Sequence, residues 1–398
     1  MDRPTAQGHD RAMTTQPSGP STIRTQVAIV GAGPAGLLLS HLLALRGIES
    51  VVVENRSRQY VEARVRAGVV EHGAVQTLIE AGAGERLQRE GLRHDGIHLQ
   101  WPGERHRIDF PDLCGQSVWV YGQTEITKDL INLRTAAGQQ IHWQVSDTAV
   151  VGADTDRPRV TFTDADGRAQ TVEADLVAGC DGFHGPSRHA IPEALRTVRQ
   201  RSYPYAWHPD GFSMHSMRSA TVSRLYLQVE PDDDIAAWSD DRIWDALSTR
   251  LALDGWSLTS GPTLEKSITP MRSFVSTPMR HGRLFLAGDA SHIVPPTGAK
   301  GLNLAIGDVQ LLAEAMTRSL AEGTNDLLDA YSDTALRRVW QKTHFSWWMT
   351  SMLHTPAAAD PDAEFLRQMQ LTQLRYVTSS RVAAAGLAEN YTGAFDPA

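Results

Sequence analysis

The sequence predicts an α/β (mixed α+β) fold: a Rossmann-like dinucleotide-binding domain, an inserted β-sheet substrate domain and C-terminal helices. The first observation is the apolar run 27–30, which leads into the Gly-x-Gly-x-x-Gly pattern of residues 31–36 and then into a helical run. The second is the strand pattern Ser50–Val53, which ends in Glu54. A strand, a glycine turn, a helix and an acid about 20 residues on are typical of a dinucleotide-binding βαβ unit. This unit alone fits either FAD or NAD(P).

Each residue of this unit has a predicted role. Gly31 permits the tight turn, Gly33 lets a pyrophosphate approach the backbone, and Gly36 lets the helix pack closely on the strand. The start of the helix, at Ala35, offers free N–H groups and the positive end of the helix dipole to phosphate. Glu54 suits the hydroxyl pair of a ribose.

Two further motifs follow apolar strands and favour FAD over NAD. Asp181 follows the strand pattern 176–178, and Asp289 follows the strand pattern 284–287. Ligands bind at the carboxyl ends of strands in open α/β sheets, so Asp289 is placed to hold the second ribose of a long dinucleotide. The helix that begins near Gly301 points its positive end toward a reduced, anionic isoalloxazine ring.

Composition excludes several other classes of protein. The chain has 398 residues and 41% hydrophobic content, enough for one large or two interlocked domains. Its net charge of −8 argues against nucleic acid or a membrane surface as a partner. We find neither an apolar run of ~18 residues nor a signal-peptide core. The two distant cysteines, Cys114 and Cys180, predict no disulfide framework and no metal site, which fits a cytoplasmic protein.

Shorter signals predict the remaining elements. Gln123 opens a helix with Thr124 as its expected N-cap, and Asp166-Gly167 predicts a type I′ hairpin. Strands are predicted at 98–101, 118–120, 141–151 and 160–163, and helices at 71–80, 301–320 and 327–353.

The domain arrangement follows from where the composition changes. Residues 1–22 are polar and predict a disordered extension, in which Met13 is an alternative start to Met1. Alternating strand patterns dominate 183–275. We therefore predict an FAD-binding domain of 23–93, 117–182 and 276–340, a substrate domain of 94–116 and 183–275, and a helical region of 341–398.

The three motifs together resemble those of the class A flavoprotein aromatic hydroxylases. The resemblance covers residues 25–394 and is carried by the runs 64–69, 121–125, 179–185, 264–268, 292–303, 345–351 and 389–391. These runs are most similar to members that hydroxylate 4-hydroxybenzoate. The resemblance implies FAD as cofactor, NADPH or NADH and O₂ as co-substrates, oxygen transfer from a flavin C4a-hydroperoxide, 3,4-dihydroxybenzoate (protocatechuate) as product, no metal, and a homodimer.

The resemblance also assigns roles to single residues. It implies that the aromatic acid is bound by Ser216, Met217, Arg218, Tyr226 and Pro296, and an arginine fork suits a carboxylate. It implies that Tyr391 and His94 relay the phenol proton, that the Pro296 carbonyl meets the substrate, and that His184, Arg188 and Arg272 assist NADPH. The FAD contacts would be Gly31, Gly33, Ala35, Gly36, Glu54, Arg64, Val65, Arg66, Ala67, Gly68, Val69, Gln123, Asp181, Arg224, Asp289, Gly301, Leu302 and Asn303.

The nicotinamide preference stays open. Tyr60 matches a residue linked to NADPH use, whereas Asn55 stands where an arginine is often found.

One departure from the family lies at the substrate end. In typical members a longer segment separates the counterparts of Trp207 and His208, and it carries the tyrosine that hydrogen-bonds the substrate hydroxyl. A piece the size of a β-hairpin is therefore absent here. We expect either a more open pocket or a substitute from Tyr203, Tyr205 or His208. The alternatives are a hydroxylase of another aromatic acid, such as an aminobenzoate, and an uncoupled flavin NAD(P)H oxidase or binding protein.

Overall fold

A computed structural model describes residues 21–64, 68–202, 210–217, 221–230, 233–268, 272–356 and 360–394. Val65, Arg66, Ala67, Arg218 and the shortened segment 203–209 lie outside these ranges, as do residues 1–20 of the predicted extension.

The chain alternates strands and helices before it ends in helices. The strands are β1 (Ser21–Val30), β2 (Ser50–Val53), β3 (Val69–Val70), β4 (Leu92–His94), β5 (Gly96–Trp101), β6 (Glu104–Asp109), β7 (Val118–Val120), β8 (Ile141–His142), β9 (Ser146–Val151), β10 (Arg159–Thr163), β11 (Ala169–Gly179), β12 (Thr197–Ser202), β13 (Ser213–Met217), β14 (Ser223–Leu227), β15 (Arg272–Thr277), β16 (Arg280–His281), β17 (Leu284–Leu286) and β18 (His292–Ile293). The helices are α1 (Pro34–Ala44), α2 (Arg58–Ala63), α3 (His72–Glu80), α4 (Glu85–Glu90), α5 (Phe110–Cys114), α6 (Gln123–Ala136), α7 (Asp240–Arg250), α8 (Gly301–Glu322), α9 (Asp326–Leu353), α10 (Ala363–Ser379) and α11 (Arg381–Thr392).

The largest sheet has the order β16-β17-β11-β1-β2-β8, with β10 and β9 added through β11. Strands β1, β2, β8, β11 and β17 run parallel. Val30 pairs with Val53 and with Gly179, and Gly179 pairs with Leu286. Four strands therefore end level with one another, and the loops that follow them meet at one edge of the sheet. This confirms the predicted α/β fold.

Helix α1 lies in the core because apolar residues cover most of its circumference. Residues 35–40 are all buried, and the helix packs against α6 and α8. The hydroxyl of Tyr331 on α9 donates to the carbonyl of Leu286 (2.8 Å), which ties α9 to the end of β17. A second apolar cluster, which includes Phe110, Phe345 and Leu387, joins α5, α9 and α11 to β5 and β6.

Smaller sheets surround this core. Strands β12, β15 and β18 form one, β13 pairs with β14, β7 lies between β3 and β4, and β5 pairs with β6. Strand β1 begins at Ser21, two residues inside the segment that the sequence assigned to the extension.

Two local predictions are wrong. The strand predicted at 141–151 is two strands, because β8 pairs with β2 whereas β9 pairs with β10, and the chain turns between them. Thr124 is not the N-cap of α6. Gly122 holds that position, and the Thr124 hydroxyl instead donates to the carbonyl of Arg64 (2.8 Å).

The hairpin predicted at Asp166-Gly167 is present, but its turn type is wrong. A type I′ turn needs positive φ at both central residues, and Gly167 (φ 78°) is the residue of this pair that has it. The Asp164 carboxylate accepts hydrogen bonds from the N–H groups of Asp166 and Arg168, which favours a wider loop.

Candidate active site

The glycine turn brings three backbone segments into contact. Gly31 has φ +105°, and a Cβ there would lie 2.3 Å from the carbonyl oxygen of Cys180. A Cβ on Gly36 would lie 2.1 Å from the oxygen of Gly31. These distances confirm the predicted tight turn and the close packing of helix on strand. A Cβ on Gly33, in contrast, would meet no described atom within 4 Å, so this position opens onto free space.

That free space has the chemistry of an anion site. Gly33 is the N-cap of α1, and helix geometry leaves the N–H groups of Ala35 and Gly36 without a carbonyl partner inside the helix. Beside the turn, the Glu54 carboxylate accepts hydrogen bonds from the N–H groups of Ala32 (2.8 Å) and Arg56 (2.9 Å). Its acceptor oxygens are therefore fixed next to the turn, which fits a pyrophosphate and a ribose.

The run 121–125 contacts both described ends of the run 64–69. The N–H of Tyr121 donates to the carbonyl of Gly68 (2.8 Å), and a Cβ on Gly68 would lie 2.4 Å from the oxygen of Tyr121. Arg64 is exposed beside the start of α6, where Gln123 is half-buried. The structure thus places Arg64, Gly68 and Gln123 in one region.

The start of α8 is held by Asn303. Its side-chain oxygen accepts from the N–H of Glu71 (2.9 Å), and its amide nitrogen donates to the carbonyls of Val69 (3.0 Å) and Ala299 (2.9 Å). This amide is occupied by protein contacts, so a cofactor contact at Gly301, Leu302 and Asn303 would use the backbone N–H groups that begin the helix. Gly301 opens onto free space among the described atoms, which fits such a contact.

The two aspartates that follow strands differ in environment. The Asp181 carboxylate accepts from the N–H of Ser187 (2.8 Å), and a Cβ on Gly185 would lie 2.1 Å from its Cγ, so this side chain is folded into its own loop. Burial raises the pKa of the Asp181 carboxyl. Asp289 is exposed in the one-turn helix Gly288–Ala290, where it can reach a ligand.

Sequence reasoning missed the buried pair behind that turn. One oxygen of Asp308 accepts from the N–H of Gly288 (2.9 Å) and is paired with Nε2 of His292 (2.6 Å), and both side chains are fully buried. Burial disfavours the imidazolium, but the Asp308 charge, its hydrogen bond and the Asp289 charge together outweigh burial and raise the pKa of His292. The sequence signal that could have revealed this pair is Asp308 itself, a lone acid within the apolar run 304–309.

A second buried group, Lys300, was also missed. Its ammonium donates to the Glu71 carboxylate and to the carbonyl of Tyr391 (2.9 Å), and it lies 5.0 Å from the ring centre of Phe345. Lys342 Nζ is 3.7 Å from the other oxygen of Glu71. Two lysines around one carboxylate leave an excess positive charge beside the start of α8, which favours an anion there.

The three residues expected to assist NADPH surround the ring of Phe183. The rings of His184 and Phe183 are 4.9 Å apart, and the Arg272 guanidinium lies 4.9 Å from the Phe183 ring centre. His184 is exposed and Arg272 half-buried. Arg188 is buried instead, since it donates to the carbonyls of Ala290 (3.0 Å) and Phe183 (2.8 Å). Its contacts position the Phe183 loop, a role that the sequence did not indicate.

Three of the residues expected to bind the substrate, Ser216, Met217 and Tyr226, lie on the β13–β14 pair. Ser216 is opposite Arg224, and Tyr226 lies two residues further along the same face. The Arg224 guanidinium is 5.2 Å from the Tyr226 ring centre. The exposed side chain of Met217 points to the opposite face, so a substrate contact at Met217 would use its backbone.

The residues expected at the phenol lie on three different elements of the fold. Pro296 is exposed in the one-turn helix Pro296–Gly298, and its carbonyl accepts from the N–H of Ala299 (2.9 Å). A carbonyl has a second lone pair, so this bond leaves room for a substrate hydroxyl. His94 ends β4, and Tyr391 on α11 stacks on Phe110 with ring centres 5.2 Å apart.

The comparisons with known proteins agree with this geometry. A sequence model of the FAD binding domain family matches residues 24–346. A p-hydroxybenzoate hydroxylase from Acinetobacter baylyi is 43% identical over 392 residues, which cover 94% of this chain and 96% of that protein. The chain belongs to the FAD-dependent aromatic hydroxylases.

More distant proteins also match along most of the chain. A probable NADH-specific resorcinol 4-hydroxylase from Rhodococcus jostii is 26% identical, with 96% of this chain and 76% of that protein covered. The crystal structure of p-nitrophenol 4-monooxygenase from Pseudomonas putida superposes with a TM-score of 0.75 at 19% identity, with 94% of this chain and 99% of that chain covered. Within the part of this hydroxylase that the structure describes, no helix is long and apolar enough to cross a membrane.

Proposed function

We propose that this hydroxylase converts 4-hydroxybenzoate into 3,4-dihydroxybenzoate with NAD(P)H and O₂ as co-substrates. The observation that carries the proposal is the 43% identity, over 94% of the chain, to p-hydroxybenzoate hydroxylase. Bound FAD supplies the redox and oxygen-transfer chemistry, whereas the chain binds, orients and shields the reactants.

The substrate carboxylate is bound by the strand that carries Ser216. The Ser216 hydroxyl donates to the carboxylate, and Arg218, two residues further along the chain, grips it through two N–H groups. Tyr226 lies on the same face of the strand pair as Ser216. This assignment of Arg218 comes from the resemblance alone, because that residue lies outside the described ranges.

The phenol is bound and deprotonated at the other end of the substrate. The Pro296 carbonyl accepts the phenol hydrogen, and Tyr391 and His94 carry its proton away. Loss of this proton makes the ring more electron-rich, which the attack of an electrophilic oxygen requires.

NAD(P)H approaches the surface formed by His184 and Arg272. Both side chains contact the Phe183 ring. The buried guanidinium of Arg188 donates a hydrogen bond to the carbonyl of Phe183. A cationic surface suits the phosphates of the dinucleotide.

We also propose that the hydroxylase acts as a cytoplasmic homodimer with the domain division predicted above. A cavity of about 400 Å³ opens between α9 and α10, and it is lined by apolar side chains such as Trp347 and Met369. Phe365 nearby is 69% exposed. Apolar surface of this kind is typical of a subunit interface, and sedimentation equilibrium tests the dimer.

The FAD-loaded protein mixed with NADPH, O₂ and 4-hydroxybenzoate should form 3,4-dihydroxybenzoate, as measured by chromatography. NADPH oxidation that yields hydrogen peroxide without this product would reject the proposed reaction.

A panel of aromatic acids, including aminobenzoates, then tests the second candidate function, which the missing segment after Trp207 favours. Hydrogen peroxide with every acid would instead identify an uncoupled oxidase.

A further inference from the structure

The mechanism above leaves His354 without a role, although this histidine joins the two halves of the proposed substrate site. It follows directly after α9, and 2% of its surface is exposed. Its Nε2 is 3.2 Å from the hydroxyl oxygen of Thr297, within the one-turn helix that begins at Pro296. Its ring stacks on Phe212, with ring centres 4.5 Å apart and an angle of 24° between the planes.

Phe212 is in turn fixed to the strand pair that carries Ser216. The N–H of Gln228 donates to the Phe212 carbonyl (2.9 Å), and the Gln228 side chain accepts from the Phe212 N–H (3.2 Å). Arg250, at the end of α7, donates to the carbonyls of both residues. These bonds extend the β13–β14 ladder, so the Phe212 ring moves with the strand on which Ser216 lies.

His354 itself is held from its other side. Gln370 on α10 donates to the His354 carbonyl and to the Ser351 carbonyl (2.8 Å), which fixes the end of α9. A Cβ on Gly298 would lie 2.5 Å from Oγ of Ser346, so the turn packs directly on α9. Burial lowers the pKa of His354 well below 6.5, and the imidazole is therefore neutral.

We propose that His354 is a positioning residue that sets the distance between the carboxylate-binding strand and the Pro296 carbonyl. This inference rests on the proposed function, in which Ser216 and Pro296 contact opposite ends of one aromatic acid. The ring stack fixes the strand, and the hydrogen bond to Thr297 fixes the turn. A rigid aromatic acid fits both ends only when this distance is maintained, because a small displacement of one group is costly.

The test compares variants that remove one contact at a time. Thr297→Val and His354→Phe remove the hydrogen bond, and the phenylalanine keeps an aromatic ring on Phe212. His354→Gln keeps a hydrogen-bonding group but removes the ring. His106→Phe is the matched control, because the partly exposed His106 also stacks on an aromatic ring (Trp101, 4.7 Å) and pairs with a polar side chain (Glu104), but on the hairpin β5–β6.

We expect each variant at Thr297 or His354 to raise the KM for 4-hydroxybenzoate about tenfold, the equivalent of about 1.4 kcal/mol. The fraction of NADPH that yields hydroxylated product should also fall, while FAD content and the maximal rate of NADPH oxidation stay near those of the wild type. The double variant His354→Phe/Thr297→Val should be no worse than either single variant, because both remove the same bond.

Several outcomes would overturn the inference. KM and product yield equal to wild type in Thr297→Val and His354→Phe would do so, as would a double variant whose two effects multiply. If the His354 variants fail to fold, Thr297→Val, which preserves side-chain shape, decides by the same two measurements. Failure of the wild type to form 3,4-dihydroxybenzoate would instead reject the proposed function, so the two failures are distinguishable.

Discussion

The glycine turn at residues 31–36 and the strand pair β13–β14 represent two ways to build a binding site. The turn is fixed by its own backbone, since Gly31 and Gly36 pack against main-chain atoms less than 2.5 Å from where their Cβ would lie. The strand pair presents side chains on one face, and its position depends on Arg250 and His354 from distant helices. A local motif therefore predicts the first site in detail, whereas the second needs the whole fold.

The largest expected effect lies at Asp308, whose buried carboxylate holds a second turn, the one that carries Asp289. Asp308→Ala removes one partner of the pair with His292 and leaves the N–H of Gly288 unpaired. Loss of one partner of a buried ion pair costs about 3–5 kcal/mol, and we expect the free energy of unfolding to fall by about that amount. Chemical denaturation measures it. Asp333→Ala, which removes an exposed acid on α9, is the control and should change little.

The same pair predicts a pH dependence of stability. Since the pKa of His292 is raised above 6.5 in the folded protein, the stabilisation is complete below about pH 6.5 and is lost as the pH rises through the folded-state pKa. The difference in unfolding free energy between wild type and Asp308→Asn should therefore shrink as the pH rises above about 6.5 and through the folded-state pKa of His292. A difference that grows over this range would contradict the buried ion pair.

A smaller effect should distinguish Gly36 from Gly33 within the glycine turn at residues 31–36. Gly36→Val forces a side chain into the oxygen of Gly31, and overpacking of this kind costs about 1–3 kcal/mol. Gly33→Ala meets open space in the protein, so its melting temperature should match the wild type while FAD affinity falls, because a methyl group would occupy the path of the pyrophosphate. Calorimetry and FAD titration of both variants measure the contrast. Equal FAD affinity in Gly33→Ala and wild type would reject this position as a phosphate contact.

The substrate end is tested by Arg218→Ala. Loss of a charged hydrogen-bond partner should weaken 4-hydroxybenzoate binding by about 1.5–3 kcal/mol without changing FAD affinity. Titration followed by flavin absorbance measures both. Arg168→Ala, at the exposed tip of the β10–β11 hairpin, is the charge-matched control. Unchanged affinity in Arg218→Ala would place the carboxylate elsewhere.

Sequence patterns predicted the elements that depend on neighbouring residues. The strand at 50–53 and the long helices α8 and α9 agree with the prediction within two residues at each end, because apolar periodicity and glycine positions specify them locally. The register that brings Glu54, Asp181 and Asp289 to one sheet edge followed from the rule for parallel strands. The division of 141–151 between β8 and β9 did not, since it depends on which distant strand each half joins.

By itself, the sequence determined the βαβ unit, the FAD-binding motifs and the resemblance to aromatic hydroxylases. The tertiary structure decided what the polar side chains do. In the folded protein, the Asn303 side-chain oxygen accepts a hydrogen bond from the N–H of Glu71, 232 positions away in the chain. Arg188 is buried and donates to the carbonyl of Phe183. The tertiary structure also placed His354 between the Pro296 turn and the substrate strand. The physical reason is that a turn or a helix start is specified by residues a few positions apart, whereas a buried hydrogen bond exists only after distant segments have packed together.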